Sequence, residues 1–103
     1  MPWDEYIANS DSYDWVSFTL NTGTTDYDLK ANQSALWNNL KNARGIVIIS
    51  DQPIGVKINN AAFPRIAIVV AQMPWEFLGY KIIKDAFLTN TSGTNANVEV
   101  LLL

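Results

Sequence analysis

From Arg44 onward the chain alternates short apolar runs with polar punctuation. The runs are Gly45-Ile46-Val47-Ile48-Ile49, Ile54-Gly55-Val56-Lys57-Ile58, Arg65-Ile66-Ala67-Ile68-Val69-Val70, Tyr80-Lys81-Ile82-Ile83, Ala86-Phe87-Leu88 and Val98-Glu99-Val100-Leu101-Leu102-Leu103. They are rich in β-branched residues, broken by Asp, Pro, Asn and Gly, and too short for independent helices, so they predict strands. Upstream, Asp14 to Leu20 predicts a first strand with Val16, Phe18 and Leu20 on one face and Trp15, Ser17 and Thr19 on the other. Thr25 to Ala31 predicts a second strand, and the apolar spacing of Ser34 to Leu40 suits a short helical turn. Arg44–Ser50 and Ile54–Asn59 read as a hairpin across Asp51-Gln52-Pro53, with Ile54, Val56 and Ile58 inward and Lys57 outward. Strands follow at Arg65–Ala71 and Trp75–Ile83, with Lys84–Thr89 continuing or pairing with the latter; the loop Asn90–Asn95 then leads to a last strand, Asn97–Leu103. Such a succession fits an all-β fold: an antiparallel β-sandwich, jelly-roll-like, of seven or eight strands with one short helical turn.

A chain of 103 residues makes one domain and buries enough surface for a core without staples. Residues 14–103 are expected to form that single β-sandwich domain, preceded by an acidic N-terminal arm over residues 1–13. The longest uninterrupted apolar run, Ile66 to Ala71, falls far short of the roughly 20 residues a membrane span requires, so no membrane partner is expected. Met1-Pro2-Trp3-Asp4-Glu5 shows neither a secretory signal nor a transit peptide, and synthesis in a cytoplasm is the natural expectation. The absence of cysteine removes thiolate chemistry and disulfides, and the absence of histidine removes the commonest metal ligand and neutral-pH base.

The net charge of −3 is unevenly spread. Residues 1–28 hold Asp4, Glu5, Asp11, Asp14, Asp26 and Asp28 without a base, a balance of −6, while residues 29–103 set seven basic residues against four acidic ones, a balance of +3. An acidic arm of this kind lies on its own body, reaches a basic patch on a neighbour, or is an ordinary solvated tail. Trp3, Tyr6, Ile7, Tyr13 and Trp15 are more aromatic than a purely solvating tail needs.

Candidate chemistry is thin. Asp26-Tyr27-Asp28 places two carboxylates on one strand face, a start for a Ca²⁺ site if carbonyls and a third acid joined them; solvated strand charges are the plainer reading. Glu76 and Glu99 are the only glutamates beyond the arm, a poor basis for glycoside hydrolysis. Trp37 and Trp75 are candidates for a glycan platform, although aromatics of small domains more often supply the core. The chain lacks a Gly-rich phosphate loop and a Lys/Arg cluster, which argues against nucleotide and nucleic-acid binding. No catalytic residue, cofactor or metal ligand is assigned, and the chain is expected not to be an enzyme.

Tyr27-Asp28-Leu29-Lys30-Ala31-Asn32 with Ala35-Leu36-Trp37, then Ile46-Val47-Ile48-Ile49-Ser50-Asp51-Gln52-Pro53-Ile54-Gly55-Val56-Lys57-Ile58-Asn59, then Leu78-Gly79-Tyr80 and Phe87-Leu88-Thr89-Asn90-Thr91-Ser92-Gly93-Thr94-Asn95-Ala96-Asn97-Val98-Glu99-Val100 share a texture of strand and turn residues. In that texture the chain resembles small β-rich virion proteins of tailed bacteriophages. The resemblance covers about three-quarters of the chain and leaves residues 1–13 without a counterpart. It implies a structural protein of the virion, a decoration or cement protein of the capsid or a fibre- or tail-associated one. Its partners would be major capsid or tail proteins and copies of itself, in a closed homo-oligomer such as a trimer. Trp3, Tyr6, Ile7, Leu101 and Leu103 are the candidate interface residues, with Leu102 assigned to the core by alternation. The alternative is a carbohydrate-binding module at a phage fibre or host-recognition tip, using Trp37 and Trp75.

Overall fold

A computed structural model describes residues 14–37, 43–63, 66–78 and 82–103. Its elements are β1 (Asp14–Leu20), β2 (Tyr27–Asp28), a one-turn helix α1 (Leu29–Asn32), a 3-10 turn at Ser34–Trp37, β3 (Gly45–Ser50), β4 (Ile54–Ile58), β5 (Ala67–Val69), β6 (Trp75–Leu78), β7 (Ala86–Thr89) and β8 (Ala96–Leu102). The strands form two four-stranded antiparallel sheets, sheet I in the order β1-β8-β3-β6 and sheet II in the order β2-β7-β4-β5. The fold is therefore the expected antiparallel sandwich of jelly-roll type.

The alternation of the longest strands sets the layers. β1 runs against β8 from Asp14↔Leu102 to Leu20↔Ala96. On β8, Val98, Val100 and Leu102 turn inward beside Ile46 and Ile48 of β3, and meet Ile54, Val56, Val69 and Leu88 of sheet II; all are almost fully buried. Each such side chain contributes about 1.5–3 kcal/mol of transfer free energy. Phe18 of sheet I stacks on Tyr27 of sheet II, centroids 5.2 Å apart, and fixes the spacing at that end. One pair breaks the simple inside–outside division: Val47 and Leu101 point to the outer side of sheet I, yet both are fully buried, with Leu103 packed against them.

Four expectations are corrected. β3 and β4 do not form a hairpin, because β3 belongs to sheet I and β4 to sheet II. Asp51 is still tied to β8 when the chain turns: its N–H donates to the Asn97 carbonyl at 3.2 Å, and its carboxylate accepts the Asn97 backbone and side-chain N–H groups at 2.8 Å each. The connection at Asp51-Gln52-Pro53 is thus a corner between layers, with Pro53 unable to supply a ladder donor. The expected strand Thr25–Ala31 shrinks to Tyr27–Asp28, because Asp28 Oδ1 accepts the Ala31 N–H at 3.1 Å and starts α1 as its N-cap. Among the described residues of Trp75–Ile83 the strand covers Trp75–Leu78 and leaves out Ile82 and Ile83, and β7 pairs in the other sheet rather than with it. Among the described residues of the expected Arg65–Ala71 strand only Ala67–Val69 is extended in the sheet.

Two asparagines hold the crossings between layers. Asn90, fully buried after β7, donates through Nδ2 to the carbonyls of Leu20 and Thr94, both at 2.9 Å, and accepts through Oδ1 from the Ser92 N–H at 3.0 Å and the Ser92 hydroxyl at 2.7 Å. Every hydrogen-bonding valence of that side chain is filled. Asn59, at φ 66° after β4, donates through Nδ2 to the Ile82 carbonyl at 2.9 Å and accepts from the N–H groups of Lys84 at 2.7 Å and Asp85 at 3.1 Å. A left-handed backbone suits Asn better than most residues.

Candidate functional site

The surface feature that departs most from an ordinary soluble domain lies where both sheets end in short strands, β5 and β6. β5 is the edge of sheet II, and no described strand pairs with its outer side. Val69 turns into the core, while Ile66, Ile68 and Val70 point away from it at 41%, 57% and 56% exposure. Phe63 precedes them at 52% and Met73 follows at 61%, and residues 66–75 contain no charged side chain. Natural edges are usually blunted by Lys, Pro, bulges or covering loops, and contiguous exposed apolar surface marks a contact site. β5 is short, so a contact here rests on side chains more than on added ladder bonds.

A cleft of about 530 Å³ opens onto this seam between the sheets. Trp75 and Phe77 of β6, stacked with centroids 6.2 Å apart, form one wall, and Ile66, Phe63 and Ile58 the other. Ile66 also lies over Gly55, where a Cβ would overlap its side chain, so the glycine makes room for Ile66 to cross β4. Lys57, at the mouth of the cleft, is anchored: Nζ donates to the Ala61 carbonyl at 2.9 Å and stands 3.5 Å from Asp26 Oδ1.

A second depression, about 590 Å³, lies on the outer side of sheet I and has a lining that is half polar and half apolar, the latter from Phe18, Ile49 and Val98. Ser17 and Thr19 of β1, Asn97 and Glu99 of β8, Asp51 and Gln72 line it. Ser17↔Glu99↔Ile49 form one cross-strand row, with Thr19↔Asn97 the next.

The sequence-predicted residues fall differently. Trp3, Tyr6 and Ile7 lie outside the described residues. Leu101 is fully buried rather than presented at an interface, and Leu103 is half-buried against it, while Leu102 is in the main core as alternation implies. Trp37 is a core residue at 9% exposure whose Nε1–H donates to the Ile83 carbonyl at 2.9 Å, which leaves no free ring face for a glycan. Trp75 is half-buried and faces the cleft rather than solvent. Asp26 and Asp28 do not converge on a cation position: Asp26, at φ 49°, pairs with Lys57, whereas Asp28 caps α1 and is hydrogen-bonded to Asp85. That hydrogen bond, with the Ala31 N–H, holds the Asp28 carboxyl below its ordinary value. Burial, then the same hydrogen bond, pushes Asp85 above it. Among the described residues no group of three or more acidic side chains is placed to share a metal ion.

Neither surface was read from the sequence. The signal for the seam was the pair of prolines, Pro64 and Pro74, flanking the 66–70 run, since prolines confine a strand to an edge. The depression had no local signal, because only the β1–β8 register joins its parts.

No family model matches the chain, and no curated protein matches it. Among solved structures, it is similar to a de novo designed double-stranded β-helix determined in solution, with a TM-score of 0.55 and 13% identity over 86% of this chain and 97% of that one. It is also similar to the Cupin_2 domain of an XRE family transcriptional regulator from Enterobacter cloacae, with a TM-score of 0.57 and 17% identity over 99% of this chain and 87% of that one. At such identities the likeness shows the fold alone: a double-stranded β-helix, the jelly-roll-like barrel of cupin domains.

Proposed function

We propose that the chain is a non-enzymatic assembly protein that joins a second copy of itself along the β5 edge. The observation that carries this reading is the uncharged run of exposed apolar side chains at Ile66, Ile68, Val70 and Met73 on an unpaired edge strand. A second copy is the occupant favoured here, because an uncharged apolar edge is self-complementary and brings no like charges together when two-fold related copies meet. Sheet II would then continue from one subunit into the next. A self-associating β domain of this size suits a decoration or cement protein of a tailed-phage capsid, the role implied by the resemblance of its strand and turn residues, and that placement is part of the proposal.

Light scattering and sedimentation equilibrium test the association. The unaltered chain is expected to be a dimer or larger, and Ile68→Lys a monomer with an unchanged circular dichroism spectrum, since Ile68 makes no core contact. An unaltered chain that stays monomeric at high concentration, or a variant of unchanged mass, overturns the reading. Particle placement is tested separately by peptide mass spectrometry of purified virions from the encoding genome. Absence of the chain would refute that placement and leave self-association standing.

A further inference from the structure

The geometry points to the depression on the outer side of sheet I as a binding site for an uncharged saccharide, with Trp15 as its stacking platform. This surface centres on sheet I and adjoins the β5 edge only at Gln72, which stands between Val70 and Met73.

Three polar groups there have no partner among the described residues: the half-buried Glu99 carboxylate, the Ser17 hydroxyl and the Gln72 side-chain amide. Glu99 stands in mid-sheet with Ser17 on one side and Ile49 on the other. Its neighbours are held in place. Asn97 is locked to the Asp51 carboxylate by two hydrogen bonds of 2.8 Å, and Gln72, at φ 65°, is pinned by its own N–H to the Ser50 carbonyl at 2.7 Å. A set of free hydroxyl, amide and carboxylate groups on a fixed backbone matches a ligand whose own groups both donate and accept, and the depression falls in the size range of small-molecule sites.

Trp15 does not line the depression itself but adds an exposed apolar surface beside it. It shares the outer face of β1 with Ser17 and Thr19, and is 46% exposed. Alternation puts it one row from Ser17, a step of about 7 Å along the strand. An exposed indole next to a polar row offers a flat surface for the C–H face of a pyranose while its hydroxyls reach Glu99 and Ser17. No basic side chain lines the depression, so a phosphorylated or carboxylated sugar would meet Glu99 and Asp51 as like charges.

The test is an array of neutral hexose and N-acetylhexosamine oligosaccharides, followed by titration calorimetry on any that bind. The unaltered chain is expected to bind at least one of them, with affinity little changed between low and high salt. Glu99→Ala and Trp15→Ala should each weaken that binding by about tenfold or more, the scale of a lost hydrogen bond to a charged group. Both variants should keep the far-ultraviolet spectrum, and Ile68→Lys should bind as the unaltered chain does. No binding on the array, binding that high salt abolishes, or binding indifferent to both substitutions overturns the assignment.

Discussion

Replacing Asn90 by alanine tests whether one buried side chain holds the two sheets in register at their shared corner. Asn90 follows β7 of sheet II and precedes the loop into β8 of sheet I, and its Nδ2 reaches the Leu20 carbonyl at the end of β1. Its own backbone is tied to the β1–β2 turn: the N–H donates to the Thr24 carbonyl, and the carbonyl accepts from Gly23, both at 2.9 Å. Asn90→Ala keeps those backbone bonds and removes four side-chain ones. The Ser92 hydroxyl, freed from Asn90 and 2.9 Å from the Thr94 carbonyl, can donate there instead, so that carbonyl is not stranded. The Leu20 carbonyl and the Ser92 N–H lose the partners Asn90 gave them. Two such groups at about 1–3 kcal/mol each put the loss at roughly 2–6 kcal/mol. That is a large share of the roughly 5–15 kcal/mol that holds a domain folded, and at about 4–8 °C per kcal/mol it lowers the melting temperature by at least about 8 °C. Asn90→Asp sharpens the test. It keeps the acceptor for Ser92 but sets a carboxylate oxygen against the Leu20 and Thr94 carbonyls, so its deficit should be largest at neutral pH and shrink as acid protonates the new side chain. Thermal melts of the three proteins at several pH values decide it. A loss below about 1 kcal/mol for the alanine variant, within the range of an ordinary surface change, would refute the corner role.

Gly55→Val should displace the Ile66 side chain from β4, lowering stability by about 1–3 kcal/mol in denaturant melts and weakening self-association in light scattering, because Ile66 belongs to the β5 edge; normal values in both would refute the packing described. Asp85→Asn should change the pH dependence of stability. In the unaltered chain the raised pKa of Asp85 contributes stability that is present below the ordinary aspartate value of 3.8 and is lost as pH rises through the raised value, while the depressed pKa of Asp28 contributes stability present above 3.8 and lost as pH falls through the lowered value. Asparagine at 85 retains the oxygen that accepts the Lys30 and Ala86 N–H groups, at 3.0 and 2.7 Å, and removes the charge, so the variant should not lose stability over the upper interval. Parallel stability–pH curves for the two proteins would count against the shared hydrogen bond.

The layers were legible because alternation is local. Val16, Phe18 and Leu20 on β1 and Val98, Val100 and Leu102 on β8 announce their faces without reference to anything else. What was not legible was which strands pair. Asp51-Gln52-Pro53 looks like a hairpin loop when read alone; only the bonds from Asp51 to Asn97, 46 positions away, show that β3 is already committed to β8 and that β4 must leave the layer. The same holds for Thr25–Ala31, whose apolar alternation is outweighed by one carboxylate, Asp28, turning back to cap α1.

Binding surfaces were harder still, because each depends on what is missing from one side of a strand. Ile66 to Val70 is an unbroken apolar run, which by itself reads as a strand covered on both faces. It becomes a contact edge only because β5 is last in sheet II, so that Val69 alone of its larger side chains is fully buried. Trp37 and Trp75 are large aromatics that size drives inward, and among the described tryptophans the one left facing water is Trp15, on the outer face of an edge strand. The β5 edge and the row through Ser17 and Glu99 occupy different sheets and share no residue. Gln72, however, lines the depression while standing between Val70 and Met73 of the edge, so association through the first constrains the second at that residue; substitutions at Ile68 and Glu99, which have no common partner, should still act additively.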